Sequence, residues 1–299
     1  MRKTSVYLSE QTKAALHDAS VRWGRSEAEI IRQAIERHVR GGGGGGETSP
    51  PAEALPIAER MSGPRLIGVG VGPSAPDLIT QRAIDVLEQA DRVFAAATAP
   101  DAIARAEAIV RVSAPTVKVD RLPLSISSDA ESFERCLDGA ADVMVDALDR
   151  GHVVAYIALG DPNMFSTFPA LARRVARQRP EVPIRSVPGI MSFQELAART
   201  GTVLAEGDER VELVTVSEDL SNMESALEKR DCTVVLYKGG RHLPAVAERI
   251  RARRRMKGAV VGEMMGLPGG RSGPVSEFAD RPASYLATVV IPATRTAPQ

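Results

Sequence analysis

LIGVGVGPSAPDLIT, residues 66–80, is an apolar run that breaks into glycines, prolines and an acidic residue just before a helical pattern begins. A short β-rich run that stops at a glycine turn and hands over to a helix is how an α/β unit starts. The turn itself narrows the chemistry. A dinucleotide fingerprint needs glycine at 68, 70 and 73, but residue 73 is Pro73, and no GKS or GKT follows to form a nucleotide phosphate loop. What is left is a strand end at which backbone can approach a ligand or a facing element closely, or a turn with a purely structural purpose.

The same grammar recurs along the chain. Strands are expected over 92–95, 152–159, 211–217, 233–237, 259–261 and 285–291, with helices over 77–90, from Ser128 onward and over 243–253. Ser128 with Glu131 forms a capping box, and Phe133, Leu137, Ala141, Met144 and Leu148 fall on one helical stripe. Alternation of this kind predicts α/β layers with mostly parallel pairing. Three further strands end in turns: LGDPNMFSTF (159–168), VPGIMSF (187–193) and VVLYKGGRHLP (234–244). Asp161 suits a carboxylate at the carboxyl edge of a sheet, where open α/β folds bind ligands, but taken by itself it better suits a capped turn. Four such strand ends in one chain favour a composite binding cleft.

At 299 residues the chain has room for two folded units plus something small. Its 38 basic and 38 acidic residues cancel, so no overall field favours nucleic acid or anionic lipid. Cys136 and Cys232 are far apart, with no CxxC and no clustered histidine. That argues against a zinc site or a disulfide framework and fits a reducing cytoplasm. No apolar run approaches a membrane span, and no hydrophobic signal core opens the chain. Residues 41–62 begin with six glycines, Gly41–Gly46, and continue polar and proline-rich, as a flexible tether would.

Ahead of the tether, residues 3–9 alternate as a strand, with Lys3, Ser5 and Tyr7 on one face. Helical patterns follow over 10–23 and, after Gly24, from Arg25 and Ser26 through Val39. Forty residues bury too little surface to stand alone, so this part calls for a dimer. The wording KTSVYLSEQTKAAL and GRSEAEIIRQAIERHV resembles the ribbon-helix-helix family of DNA-binding dimers. The resemblance implies that Lys3, Ser5 and Tyr7 face base edges in the major groove. Residues 1–40 carry eight lysines and arginines against five acidic residues, a mild bias toward DNA. A module that only dimerises the body behind it remains open.

Taken in order and spacing, GVGVGPSAPDLIT, LGDPNMFSTF, VPGIMSFQELAARTGTVLAEGDE and VVLYKGGRHLP resemble the tetrapyrrole methylase family. The STF, SF and GDE elements point to the branch that methylates carbon 20 of precorrin-2 or its cobalt-containing counterpart. The resemblance implies an α/β fold of two domains, 63–187 and 188–295, with S-adenosyl-L-methionine held folded between them. It implies cofactor contacts at Pro73, Leu159, Gly160, Asp161, Met164, Met191, Ser192 and Lys238, with Met265 weaker, mostly through backbone. The partner it implies is a tetrapyrrole substrate, while the second copy of the chain is called for by the forty-residue module ahead of the tether.

Three positions depart from the family pattern. Ser74 and Ala75 replace a usual Gly-Asp, Met191 stands where a small hydroxyl residue is common, and Lys238 places a cation near a donor already cationic at sulfur. A macrocycle rich in carboxylates calls for basic groups, and Arg121, Arg185, Arg241 and Arg271 lie near strand ends or glycine loops. No residue declares itself as a general base. Another corrin-ring methylase, or a DNA-binding regulator whose methylase body senses a ligand, remain as alternatives.

Overall fold

A computed structural model describes residues 61–97, 103–124 and 130–295, with scattered positions between 13 and 31. The chain separates into two compact units, Met1–Ala54 and Leu55–Gln299. In the first, Lys13, Leu16, His17, Ser20 and residues 27–31 are helical. The Glu29 and Ile30 N–H groups donate to Ser26 O, and His17 Nδ1 lies 3.2 Å from Glu27 Oε1. Lys3, Ser5, Tyr7 and Ser128 lie outside the described residues, as does the tether apart from Met61 and Ser62.

The second unit opens with a five-stranded sheet made of β1 (Arg65–Gly70), β2 (Arg92–Ala97), β3 (Val119–Pro123), β4 (Val153–Ala158) and β5 (Ile184–Val187). Its order is β3-β2-β4-β1-β5, and every pairing is parallel. Side chains alternate across it, so each face of the sheet needs its own cover. Leu66, Phe94, Val154 and Tyr156 pack under α3 (Ala130–Asp149) and α4 (Phe168–Gln178). Ile67, Val69, Val93 and Ala155 pack under α1 (Gln81–Gln89) and α2 (Arg105–Ser113). The expected stripe holds: Leu137, Ala141, Met144 and Leu148 are buried in α3, with Phe133 half-buried beside them. Thr80 starts α1, its hydroxyl accepting from Ala83 N at 3.2 Å.

From β1 the chain steps toward the β3 edge, and from β4 it steps the other way, toward β5. The neighbours β1 and β4 are therefore a switch point, and the crevice beyond their carboxyl ends is where such sheets take ligands.

The second sheet holds β6 (Arg210–Thr215), β7 (Cys232–Tyr237), β8 (Val260–Glu263), β9 (Arg271–Pro274) and β10 (Thr288–Ile291), in the order β6-β7-β10-β8-β9. Only β6 and β7 are parallel; β10 runs antiparallel to both β7 and β8, and β9 antiparallel to β8. Over both sheets five pairings are parallel and three antiparallel, so the expectation of mostly parallel pairing holds, with the antiparallel part confined to this sheet. The link from Glu263 to Arg271 is too short for the crossover that a parallel pair requires. The last strand is also shorter than expected. Ala287 N donates to Ser284 O in a turn, which leaves Tyr285 and Leu286 outside the ladder and exposed.

One face of this sheet is covered by α6 (Ser221–Glu228) and α7 (Leu243–Ala252), and the other by α5 (Ser192–Thr200). Arg255 is buried at one end of this sheet, without a carboxylate partner among the described residues. Its guanidinium donates to Lys229 O (3.0 Å), Cys232 O (2.6 Å) and Pro292 O (3.0 Å), tying the strand ends of β7 and β10 to the close of α6. Desolvation pulls this group below its usual range.

Candidate functional site

Three glycines make the crevice possible. Gly70 closes β1, Gly160 follows β4 and Gly189 follows β5. A Cβ added to Gly70 would stand 2.5 Å from both Gly160 O and Gly189 N. Gly160 N donates to Gly72 O at 2.8 Å, so the turns after β1 and β4 are stitched together. Side chains at these points would fill the space that the backbone now leaves beside Pro73.

Above this floor lies a cavity of about 530 Å³. One wall comes from the turns after β1 and β4 and the start of α2. The other comes from the first turn of α5, the end of β7 and Gly262, Met264 and Met265. Eight of the nine residues singled out for the cofactor line it: Pro73, Leu159, Gly160, Met164, Met191, Ser192, Lys238 and Met265. Asp161 does not. Its carboxylate accepts from Asn163 N at 2.8 Å and Gly189 N at 3.1 Å, so it holds the turn and ties the ends of β4 and β5 together.

The four arginines expected around the cleft are absent from its walls, and each has another partner. Arg121 grips buried Glu107 at 2.8 and 2.9 Å, and Arg111 joins them at 2.7 Å. Hydrogen bonding from Arg121 holds the Glu107 carboxyl below its ordinary range against the opposing effect of burial. Arg241 stacks over Tyr285, and Arg271 pairs with Glu263 at 2.5 Å. Arg185 donates to its neighbour Ile184 O at 3.2 Å. His242, another residue after a glycine turn, faces Glu218 at 3.3 Å.

The cationic residue that sequence reasoning missed is Arg105, at the start of α2. Together with Lys238 it makes up all the charge on the described lining, and no carboxylate lines the cavity. Nothing in the local pattern marks Arg105, because it is the strand order that brings the start of α2 to the crevice.

Two tyrosines also line the cavity. Tyr156 shares a hydrogen bond with Thr167, and burial pushes its phenol up to about 12. Burial also raises Tyr237, opposed by the Ser192 hydroxyl and the Phe193 N–H nearby. Neither group reaches hydrogen-bonding geometry with it, and the buried Tyr237 hydroxyl has no partner. Such an orphan costs about 1–3 kcal/mol unless a ligand satisfies it.

Ser74 also lines the cavity, but it is buried and bonded to its own turn, and Ala75 packs against Gly266. These small residues let the loop after β1 meet the loop after β8. Backbone strain gathers here as well. Phe165, Lys238 and Met264 hold φ of 54°, 62° and 49°, three of the five non-glycine residues at positive φ among those described. Non-glycine residues in such conformations concentrate at ligand sites.

A switch-point crevice faced by a second, mixed sheet is the arrangement of an α/β protein with a ligand cleft beyond its strand ends. The family model for Tetrapyrrole (Corrin/Porphyrin) Methylases matches residues 65–277, and the chain belongs to that family. It is 26% identical over 245 residues to a precorrin-2 C(20)-methyltransferase from Sinorhizobium sp, covering 78% of this chain and 97% of the relative. It is 30% identical over 178 residues to the cobalt-precorrin-2 C(20)-methyltransferase of Salmonella typhimurium, covering 59% and 74%. Among solved structures, a cobalt precorrin-4 methyltransferase shares the fold, with a TM-score of 0.59 and 22% identity over 76% of this chain and 94% of its own.

Methylases of this family use S-adenosyl-L-methionine as donor. The site suits such a molecule. About 530 Å³ is the volume a drug-sized ligand needs, the walls are largely apolar, and an unpaired hydroxyl and an unpaired ammonium are available to its polar end. Among the described residues no cluster could hold a metal ion, and no helix is long and apolar enough to cross a membrane.

Proposed function

We propose that this chain methylates carbon 20 of precorrin-2 or its cobalt-containing counterpart in cobalamin biosynthesis, with lobes over 63–187 and 188–295. The observation that carries this reading is the crevice beyond β1 and β4, whose only charged wall residues among those described are Arg105 and Lys238. A cationic site without a counter-charge favours an anionic guest, and the names of the relatives supply the ring position.

When bound, the donor supplies a sulfonium methyl: its carbon–sulfur bond breaks with the pair left on sulfur, the ring carbon provides the pair for the new bond, and the ring releases a proton. The chain's own work is geometric. Pro73, Leu159, Gly160, Met164, Met191, Ser192, Lys238 and Met265 would hold the donor, with Asp161 fixing the turn beneath it. Arg105 would meet a carboxylate of the macrocycle at the rim. Tyr156 and Tyr237 keep their protons at neutral pH, so neither serves as a base, and orientation is left as the main source of rate. Incubating the purified chain with labelled donor and precorrin-2 should place one methyl at carbon 20. Transfer to a different carbon, or none to any early corrin intermediate, would refute the assignment.

The segment before the tether supports a second role. The helical Glu27–Ile31 run and the His17–Glu27 contact suit a helix pair, as a ribbon-helix-helix dimer needs. On this reading Lys3, Ser5 and Tyr7 contact DNA and the chain is a homodimer. A mobility-shift assay of full-length protein with DNA upstream of its own gene tests it. Loss of binding in a Lys3→Ala, Tyr7→Ala variant is expected, and no binding by the wild type would remove the role.

A further inference from the structure

Exposed apolar side chains gather where the cavity opens. Ile103 and Phe165, from loops of the first sheet, and Leu286, from the second, all line the cavity, yet each is at least 40% open to solvent. Leu286 belongs to no strand. It sits in the turn 284–287, closed by Ala287 N donating to Ser284 O at 2.8 Å. Glu263, the last residue of β8, ties that turn to the sheet: its Oε2 accepts from Ser284 N at 2.7 Å while its Oε1 accepts from Arg271 Nε at 2.5 Å. The Glu263 side chain is only 12% exposed, so little water is at hand to replace either bond. A second tie comes from the end of β7, where Gly240 O accepts from Ala283 N at 2.8 Å and a Cβ added to Gly240 would overlap Ser284 O.

Building on the methylase reading, we infer that Glu263 is a positioning residue: it latches the turn 284–287 so that Leu286, with Ile103 and Phe165 opposite, forms an apolar seat for the face of the ring substrate. Size assigns the seat to the ring. The cavity accommodates one drug-sized molecule, whereas a tetrapyrrole is far larger and must lie across the mouth, covering the apolar groups there. Glu263 lines no part of the cavity and touches neither reactant. It suits the role of latch because its two oxygens serve two segments at once: Arg271 fixes the carboxylate, and the carboxylate fixes the turn. Without that acceptor the Ser284 N–H would turn to water, and a turn that stands outside the ladder would follow it.

The test is steady-state kinetics of the full-length protein with precorrin-2 and S-adenosylmethionine, beside calorimetry with S-adenosylhomocysteine, the demethylated donor. Glu263→Gln keeps the size of the side chain but offers one acceptor in place of two, so it cannot serve Ser284 and Arg271 together. Leu286→Ala removes the seat directly. Covering the 40% of Leu286 that is exposed is worth about a three- to eightfold change in affinity, and each variant should raise the KM for precorrin-2 by about that factor. For Glu263→Gln, kcat and the affinity for S-adenosylhomocysteine should each stay within about twofold of wild type. The double variant should show the KM of Leu286→Ala, because a latch acts only through what it holds.

A KM for precorrin-2 that Glu263→Gln leaves unchanged would overturn the latch, as would effects of the two substitutions that multiply in the double variant. A loss confined to kcat would do the same, since it marks a smaller active fraction and not a misplaced seat. Wild-type protein that methylates no early corrin intermediate would instead remove the methylase reading on which the latch rests. Should circular dichroism show Glu263→Gln to be misfolded, Leu286→Ala carries the decision: a raised KM with kcat kept supports the seat, and an unchanged KM refutes it.

Discussion

Replacing Gly70 by alanine drives a wedge into the floor of the cleft. The new Cβ would sit 2.5 Å from Gly160 O and 2.5 Å from Gly189 N, both backbone atoms of flanking turns that no rotamer change can move aside. Real Cβ contacts stay beyond 3.0 Å, so the turns after β4 and β5 must each retreat by at least about half an ångström. Overpacking of this kind costs about 1–3 kcal/mol, offset in part by the about 0.4–1 kcal/mol that alanine saves in the unfolded chain. For a unit of this size each kcal/mol lowers Tm by about 2–4 °C, so a fall of a few degrees is expected.

The larger effect falls on binding. A displacement near 1 Å can cost about a hundredfold in a positioned reaction, and half of that displacement should weaken S-adenosylhomocysteine about tenfold. Gly201→Ala is the control. Its φ of 67° makes alanine strained, but nothing lies within 4 Å of the added carbon. It should lose about 1–2 kcal/mol of stability and none of the affinity. Differential scanning calorimetry and ligand titration read the two quantities separately. Wild-type affinity in Gly70→Ala would show that the glycine junction does not shape the site.

Other variants probe the remaining structure. Gly139 lies exposed within α3 with open space where a side chain would go, so Gly139→Ala should stabilise the protein by about 0.5–1 kcal/mol in urea denaturation. Because Arg121 depresses the Glu107 carboxyl, the stabilisation from that cluster is complete above the ordinary carboxylate range and fades as pH falls through it. Glu107→Gln should therefore be less stable than wild type by about 1–3 kcal/mol at pH 7, with the gap narrowing as pH falls below the ordinary carboxylate range; a gap constant with pH would refute the electrostatic account. Tyr237→Phe should leave the shape of the pH–rate profile between about pH 6 and 9 unchanged, since the phenol stays protonated there. A lost ionisation in that window would make Tyr237 a base after all.

What could be read from sequence was whatever the local chain decides for itself. The α3 stripe needed only helical spacing, and the glycine turns needed only strand ends that side chains would block. The antiparallel part of the second sheet was not legible because β10, although last in sequence, is inserted between β7 and β8, a choice made by tertiary packing that leaves no local trace. Arg121 and Arg271 were placed at the cleft by their proximity to turns, whereas the fold supplies each with a carboxylate closer at hand. Asp161 was legible in two ways, and its hydrogen bonds to Asn163 and Gly189 follow the plainer one. Tyr237 went unnoticed beside Lys238 because an apolar strand hides a tyrosine well. Only its unpaired hydroxyl, a fact of packing, singles it out.

The guanidinium of Arg255, held by main-chain oxygens, has no carboxylate partner among the described residues to lose in acid. Acid strong enough to protonate Glu107 and release Arg111 and Arg121 leaves the carbonyls around Arg255 unchanged, since dipoles carry no proton to gain. The seam between β7 and β10 should thus outlast the Glu107 cluster during acidification.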